Sequence, residues 1–373
     1  MNGERTGILE WLSRRLNLTE IFSLLTSFGL FYAEVDNRKP LREALGEALG
    51  RPSQSYARGP RILGLIVVVL IAVEILTGGL LALYYLPTPE SAHASVSTIM
   101  RHVGFGWFVH QVHFWGAQLL VAVLILRLIR FLVQGVYRAP RELVWVCGAL
   151  LLLVCFHADL TGRILPWTSG AYWSGVRALE IIAAVPLYGD VGMFLIGGDQ
   201  ASISELTLIR SYILHIGLFP ALAVLFIYLH FSTVRRVGLS EIAGEVKEVG
   251  SDFLRNHLAN LAILLVLVIG VLVTLAVLVP TPFLEEADPF STVPGVGPPW
   301  YLLAPFGFLE LSSAVLPSWA AGTVLLLVFS AFVVLPLLDR TRPRRGAGPL
   351  TLGLAVVAVV VWILFTFYGA RVA

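Results

Sequence analysis

Six residues able to bind a metal or carry a proton fall inside long apolar stretches of this chain: Glu74, His113, His157, Asp159, His215 and His230. Ionisable residues at membrane depth are costly and mark function by default. His215 and His230 share the segment LIRSYILHIGLFPALAVLFIYLHFS, 15 positions apart. That interval is about 22 Å of helix rise and close to a whole number of turns, so both histidines face nearly the same way, one toward each end. Neutral imidazole is a common axial ligand of haem iron. Two histidine levels on one face therefore suit two haems stacked across a bilayer. A haem held by two histidines needs a partner helix. The segment VHFWGAQLLVAVLILRLIR supplies His113 at the depth of His215, but Arg127 at the depth of His230. Protonated guanidinium offers no lone pair. His113 with His215 is thus the stronger candidate metal site, and His230 lacks an obvious partner. Any one of these histidines taken alone also reads as a packed core residue. Gly64 and Gly78 are 14 residues apart, as are Gly148 and Gly162. Paired glycines at that interval let two flat groups sit against two helices, or simply let helices pack closely.

These residues need helices to hold them, and the composition supplies them. The chain has 373 residues, 57% hydrophobic and 13% charged. Its mean hydropathy is +0.83. Soluble domains carry roughly 25% charged residues, so the chain reads as an all-α polytopic membrane protein. Runs of about 20 apolar residues predict seven spans: Ile62–Tyr85, Trp107–Leu132, Leu143–Leu165, Leu208–Phe231, Leu258–Val279, Trp319–Leu338 and Leu352–Tyr368. An amphipathic stretch, ILEWLSRRLNLTEIFSLL, precedes them and predicts a helix on the membrane surface. No cleavable signal is visible in residues 1–60. Arginine and lysine gather before the first span and in the connections after the second, fourth and sixth. The basic side faces the cytoplasm, so the N-terminus is expected inside and the C-terminus outside. The connections after the third and fifth spans then lie on the outer, positive side. A net charge of +2 gives no nucleic-acid footprint. Cys147 and Cys155 sit in one span, which excludes a disulfide scaffold and a Cys-x-x-Cys-His haem attachment and leaves them as small core residues.

The segments TGGLLALYYLPTPESAHASVSTI, HFWGAQ, GVYRAPRELVWVCGALLLL, LTGRILPWTSGAYW, TLIRSYILHIGLFP, ADPFST and PPWYLLAPF follow one another in a familiar order. Together they resemble the cytochrome b subunit of Rieske/cytochrome b complexes, over nearly the whole chain. Seven spans and the 15-residue histidine interval look more like cytochrome b6 joined to subunit IV than like the eight-helix form. The resemblance implies a cytoplasmic segment (1–61), a four-helix haem-binding bundle (62–240) and a three-helix subunit-IV-like region (241–373). It implies haem b on His113 and His215, with His230 as a further iron ligand. It implies a quinol-oxidation pocket on the positive side, between Gly162–Trp173 and Pro298–Tyr301, and a second quinone pocket near His230. The partners it implies are a Rieske iron–sulfur protein, a c-type cytochrome or similar acceptor, and a second copy of the chain. The location it implies is the inner cell membrane, in a respiratory or photosynthetic chain.

Three departures stand against that pattern. Arg127 replaces the inner ligand of the second span; with Arg130 it could pair with haem propionates or a quinone oxygen. The Pro-Glu-Trp-Tyr signature reads Pro298-Pro299-Trp300-Tyr301, so the proton-accepting glutamate is missing, and proline is no base. Asp159, with His157, offers an alternative proton route or a buried hydrogen-bonded couple; Glu285, Glu286 and Asp288 are others. His110 stands where the family has a propionate-binding arginine, whereas Arg210 matches a family arginine. Three readings result: a quinol-oxidising subunit, a single-haem membrane anchor relaying electrons without a Q cycle, or a scaffold without haem.

Overall fold

The structure, a computed structural model, describes residues 59–197, 203–238, 250–291, 293–339 and 348–373, with the isolated positions 43, 46 and 47. The amphipathic stretch before the first span lies outside the described residues. Among the described residues the fold is helical, and the only strand-like pairing is a bridge between Thr168 and Glu286.

Four helices make the core bundle. A 3-10 turn, Gly59–Arg61, leads into α1 (Ile62–Ala82). Then come α2 (Pro89–His102), α3 (Gly106–Val133) and α4 (Glu142–Ile164). The fourth predicted span is a composite: α7 (Glu205–Ile213), a π turn (Leu214–Leu218) and α8 (Phe219–Val237) run on as one apolar helix. Before it come α5 (Ser169–Ala183) and α6 (Tyr188–Ile196). The π turn has a local cause. Pro220 has no N–H to give to the carbonyl one turn earlier, and its ring crowds that carbonyl, so the helix widens there. α4 is the most enclosed of the long apolar helices, packing against α3 and α8.

The remaining spans are α9 (Gly250–Leu278) and α13 (Pro349–Val372). Between them lie a 3-10 turn at Trp300–Leu302, α10 (Leu303–Ser312), α11 (Ser318–Val333) and α12 (Leu335–Leu338). Among the described residues, six helices are long and apolar enough to cross a bilayer. The predicted sixth span is instead a 16-residue helix, α11, that breaks at Val334 before α12. Pro336, at the start of α12, explains the break.

Three of the short helices lie in the connections on one side of the bundle and carry the site. α2 buries Ala92, Ser95, Val96 and Ile99, a one-faced i, i+3, i+4, i+7 pattern laid against α3. α5 starts with Thr168, whose hydroxyl accepts from Ala171 N at 3.2 Å and caps it. α10 packs against α13 so closely that a Cβ on Gly307 would stand 2.5 Å from the Phe365 carbonyl. On the other side, Asp339 Oδ2 accepts from Arg138 Nη2 at 2.9 Å, from Thr351 Oγ1 at 3.1 Å and from the Tyr137 hydroxyl. That clamp ties the loop after α3 to the end of α12 and the start of α13.

Candidate functional site

The structure brings His113 and His215 together at one end of the bundle. Their ring centres are 5.9 Å apart with planes at 90°. A metal shared by two imidazoles sits roughly 3 Å from each ring centre, because the metal–nitrogen bond is about 2 Å. The spacing fits that requirement. His215 donates from Nδ1 to the Ala158 carbonyl at 2.9 Å. His113 Nδ1 lies 3.0 Å from Glu74 Oε2 and 2.9 Å from Thr77 Oγ1. With both Nδ1 atoms engaged, Nε2 of each ring is the ligating nitrogen.

The glycines that frame this level are steric necessities. A Cβ on Gly162 would stand 2.5 Å from His215 Cε1, and one on Gly78 would stand 3.1 Å from His113 Cε1. The interval puzzle also resolves here. Gly64 to Gly78, Gly148 to Gly162 and His113 to Arg127 are each 14 residues, but His215 to His230 is 15. His215 sits in the π turn, which absorbs one extra residue. The composite helix α7–α8 thereby keeps the repeat of its neighbours.

A second test concerns polar atoms. Among the described residues, three buried side-chain atoms have no partner: Glu74 Oε1, His110 Nδ1 and Ser211 Oγ. Glu74 touches His113, His110 lies one turn before it, and Ser211 one turn before His215. Orphaned buried polar groups are costly, and here they surround one level of the bundle. The residues of the outer level fit a haem with polar edges.

The inner level is different. His230 Nδ1 donates to the Val144 carbonyl at 3.1 Å, which makes Nε2 an acceptor. Arg127 Nη2 donates to that Nε2. Arg127 is 5% exposed and His230 6%. The guanidinium lies between the other glycine pair: a Cβ on Gly64 would meet Arg127 Nε at 3.8 Å, and one on Gly148 would meet Nη1 at 3.7 Å. It also sits 4.7 Å from the centre of the Phe131 ring, which stacks on His230. The iron-binding nitrogen of His230 is therefore taken, and the guanidinium reaches between the two glycines. The inner level does not fit a haem held by two histidines. A pocket beside it is lined by Arg61, Arg127, Arg130, Arg141, Phe131 and His230 among others. Arg130 also donates to Gln134 at 2.8 Å.

The third group gathers around the turn at Trp300–Leu302. Trp300 Nε1 donates to Gln118 Oε1 at 3.0 Å, and the Tyr301 hydroxyl donates to Asp159 Oδ2 at 2.7 Å. Asp159 also accepts from Gln118 Nε2 at 2.9 Å and from Arg163 Nε at 2.8 Å. Arg163 Nη2 closes the ring by donating to Gln118 Oε1 at 2.9 Å. Tyr301 stacks flat on Phe156, with ring centres 4.6 Å apart. Burial, then the Asp159 carboxylate, pushes the Tyr301 phenol well above its usual range, so it keeps its proton and acts as a donor. The chain before Pro299 is stitched into place. Gln111 accepts from Thr281 N at 2.9 Å, Trp115 Nε1 donates to the Val279 carbonyl at 2.9 Å, and Ser169 N donates to the Glu285 carbonyl at 2.9 Å.

Several expected residues land elsewhere. Asp159 and His157 do not pair: His157 donates to the Leu153 carbonyl at 2.7 Å and takes a bond from the Tyr188 hydroxyl. One turn of helix separates 157 from 161, so residues 157 and 159 point to different neighbours. Arg210 Nη1 donates to the Phe194 carbonyl at 2.7 Å, tying down the end of α6. Glu285, Glu286 and Asp288 are exposed. Sequence reasoning overlooked Gln118 and Arg163. The sequence does carry a signal for them: Gln118 lies five residues after His113, and Arg163 one turn after Asp159.

The chain is similar to known proteins along most of its length. Residues 54–238 match the family described as "Cytochrome b/b6/petB", and residues 286–373 match "Cytochrome b(C-terminal)/b6/petD". Cytochrome b6 of Rippkaea orientalis is 33% identical over 220 residues, covering 59% of this chain and 99% of that protein. The "Cytochrome bc complex cytochrome b subunit" of Chlorobaculum thiosulfatiphilum is 32% identical over 317 residues, covering 80% of this chain and 71% of that one. A solved structure, "Hyperthermophilic respiratory Complex III", superposes with a TM-score of 0.74 at 24% identity, over 97% of this chain and 91% of that chain, which shows the shared fold. With both family regions present in order and a relative matched across most of its length, the chain belongs to the cytochrome b/b6 family, a membrane electron-transfer subunit that binds haem b.

Proposed function

We propose that the chain is the quinol-oxidising subunit of a bc-type oxidoreductase complex, with its quinol pocket between Gly162–Trp173 and Pro298–Tyr301. One observation carries this reading. The Tyr301 hydroxyl is bonded to Asp159, and the adjacent residue, Ala158, is bonded to His215. The pocket motif and the outer iron ligand are thus joined through two consecutive residues of α4.

Each residue has a role. Trp300, 42% exposed, forms the open wall, and the Tyr301 ring stands edge-on to it at 5.7 Å. Asp159 supplies the carboxylate that Pro299 cannot. The Tyr301 oxygen accepts a quinol proton as its own proton passes to Asp159 along the 2.7 Å bond. Arg163 and Gln118 hold that carboxylate in place. Haem b on His113 and His215 supplies a one-electron acceptor beside the pocket. The other electron leaves for a Rieske iron–sulfur protein and, through it, a c-type cytochrome. The complex sits as a homodimer in the inner membrane, with the N-terminus cytoplasmic. In the purified complex, Asp159→Asn should slow quinol oxidation about 100-fold with haem content unchanged, the usual scale of a lost proton acceptor. Unchanged turnover would remove Asp159 from the reaction.

The bond between Arg127 and His230 favours a second reading: a single-haem relay between quinone pool and partner, without a Q cycle. Pyridine-haemochrome analysis separates the two. One haem per chain supports the relay, and two support an inward electron path.

A further inference from the structure

Glu74 lies in the middle of α1, a carboxyl group set in the apolar run AVEILTGG. It reaches across to α3. Its Oε2 is 3.0 Å from His113 Nδ1. Thr77 Oγ1 stands 2.9 Å from the same nitrogen and donates its own proton to the Val73 carbonyl at 2.7 Å. Thr77 can therefore only accept from His113, and the Nδ1–H is shared between Glu74 and Thr77. His215 gives its Nδ1–H to a neutral carbonyl, Ala158. The two ligands of one iron site are thus supported unequally, one by a carboxylate and one by a peptide oxygen.

The packing is built around this carboxyl group. A Cβ on Gly116 would overlap Glu74 Oε1, so the glycine of HFWGAQ makes room for it. Oε1 itself is buried without a partner. On α4, the nearest charged group is Asp159, itself held by Arg163.

We propose that Glu74 is a positioning residue for the outer haem: it fixes the tautomer and ring orientation of His113 and strengthens that ligand's donation to iron. A carboxylate behind a ligating histidine raises ligand basicity. Stronger axial donation favours the ferric state and lowers the reduction potential. The inference rests on the proposed haem at His113 and His215.

The test is a redox titration of haem b in the whole complex, with the electron paramagnetic resonance spectrum of the ferric form. Glu74→Gln keeps the shape and removes the charge. The midpoint should rise, and the low-spin signal should shift. An unchanged midpoint and spectrum with haem bound would overturn the proposal. If Glu74→Gln fails to retain haem, Gly116→Ala decides instead. It crowds Oε1 away from its place while leaving the carboxyl group in the chain; a raised midpoint supports the proposal, and an unchanged one refutes it. Absence of haem from the unaltered chain would defeat the haem reading itself.

Discussion

At the scale of single residues, the inner level turns on one substitution. Arg127 occupies the position opposite His230, and its guanidinium takes the nitrogen that iron would need. Histidine there is shorter, neutral and a ligand. It would vacate the space between Gly64 and Gly148 and leave His230 Nε2 free. Arg127→His should therefore raise haem content from one to two per chain by pyridine haemochrome, with a second wave in the redox titration. Arg127→Leu separates this from mere loss of charge. It also frees Nε2 but offers no ligand, and a buried acceptor left without a donor costs about 1–3 kcal/mol. That variant should lower the unfolding temperature without adding a second haem held by two histidines.

At the scale of elements, the composite helix α7–α8 shows how position is achieved. The π turn at Leu214–Leu218 carries His215 and brings a 15-residue interval into register with three 14-residue ones. Gly162 then lets the imidazole lie against α4. Gly162→Ala places a Cβ 2.5 Å from His215 Cε1, so the ring must move; haem should be lost or turn high-spin in the optical spectrum. Gly79→Ala on α1 meets nothing within 4 Å and should leave haem and stability unchanged. Much of this was legible beforehand. Apolar runs located the spans, and equal depth paired His113 with His215. The π turn was not legible, because Pro220 reads equally as a kink or a wider turn. The sixth span read as continuous because hydropathy does not register a break at Val334. The Gln118–Asp159–Arg163–Tyr301 network was beyond sequence reasoning for another reason. Its members come from three distant segments, and only the packing of α3, α4 and the turn at Trp300 makes them neighbours.

At the scale of the whole molecule, the two ends of the bundle have opposite character. The His113–His215 level and the Trp300 network sit at the end bearing α2, α5 and α10. The Arg127–His230 level sits at the end bearing Arg138, Arg141 and Asp339. The positive-inside rule assigns the second end to the cytoplasm. That assignment decides where quinol protons are released, so it governs whether turnover can contribute to a membrane potential. The chain is suited to a direct test. Cys147 and Cys155 are both buried and lie within α4, so they contribute little background to thiol labelling. Asp288 is exposed in the loop after α9, and Ala139 is exposed in the loop after α3. In intact cells with a permeable outer layer, a membrane-impermeant maleimide should label Asp288→Cys. It should label Ala139→Cys only after the membrane is opened. The reverse pattern would place the Asp159–Tyr301 pocket on the cytoplasmic side, so quinol protons would be released inside and would not add to the membrane potential. Labelling of both from outside would mean that α4, the composite α7–α8 and α9, the three apolar helices between the two sites, do not all cross, in conflict with their length and composition.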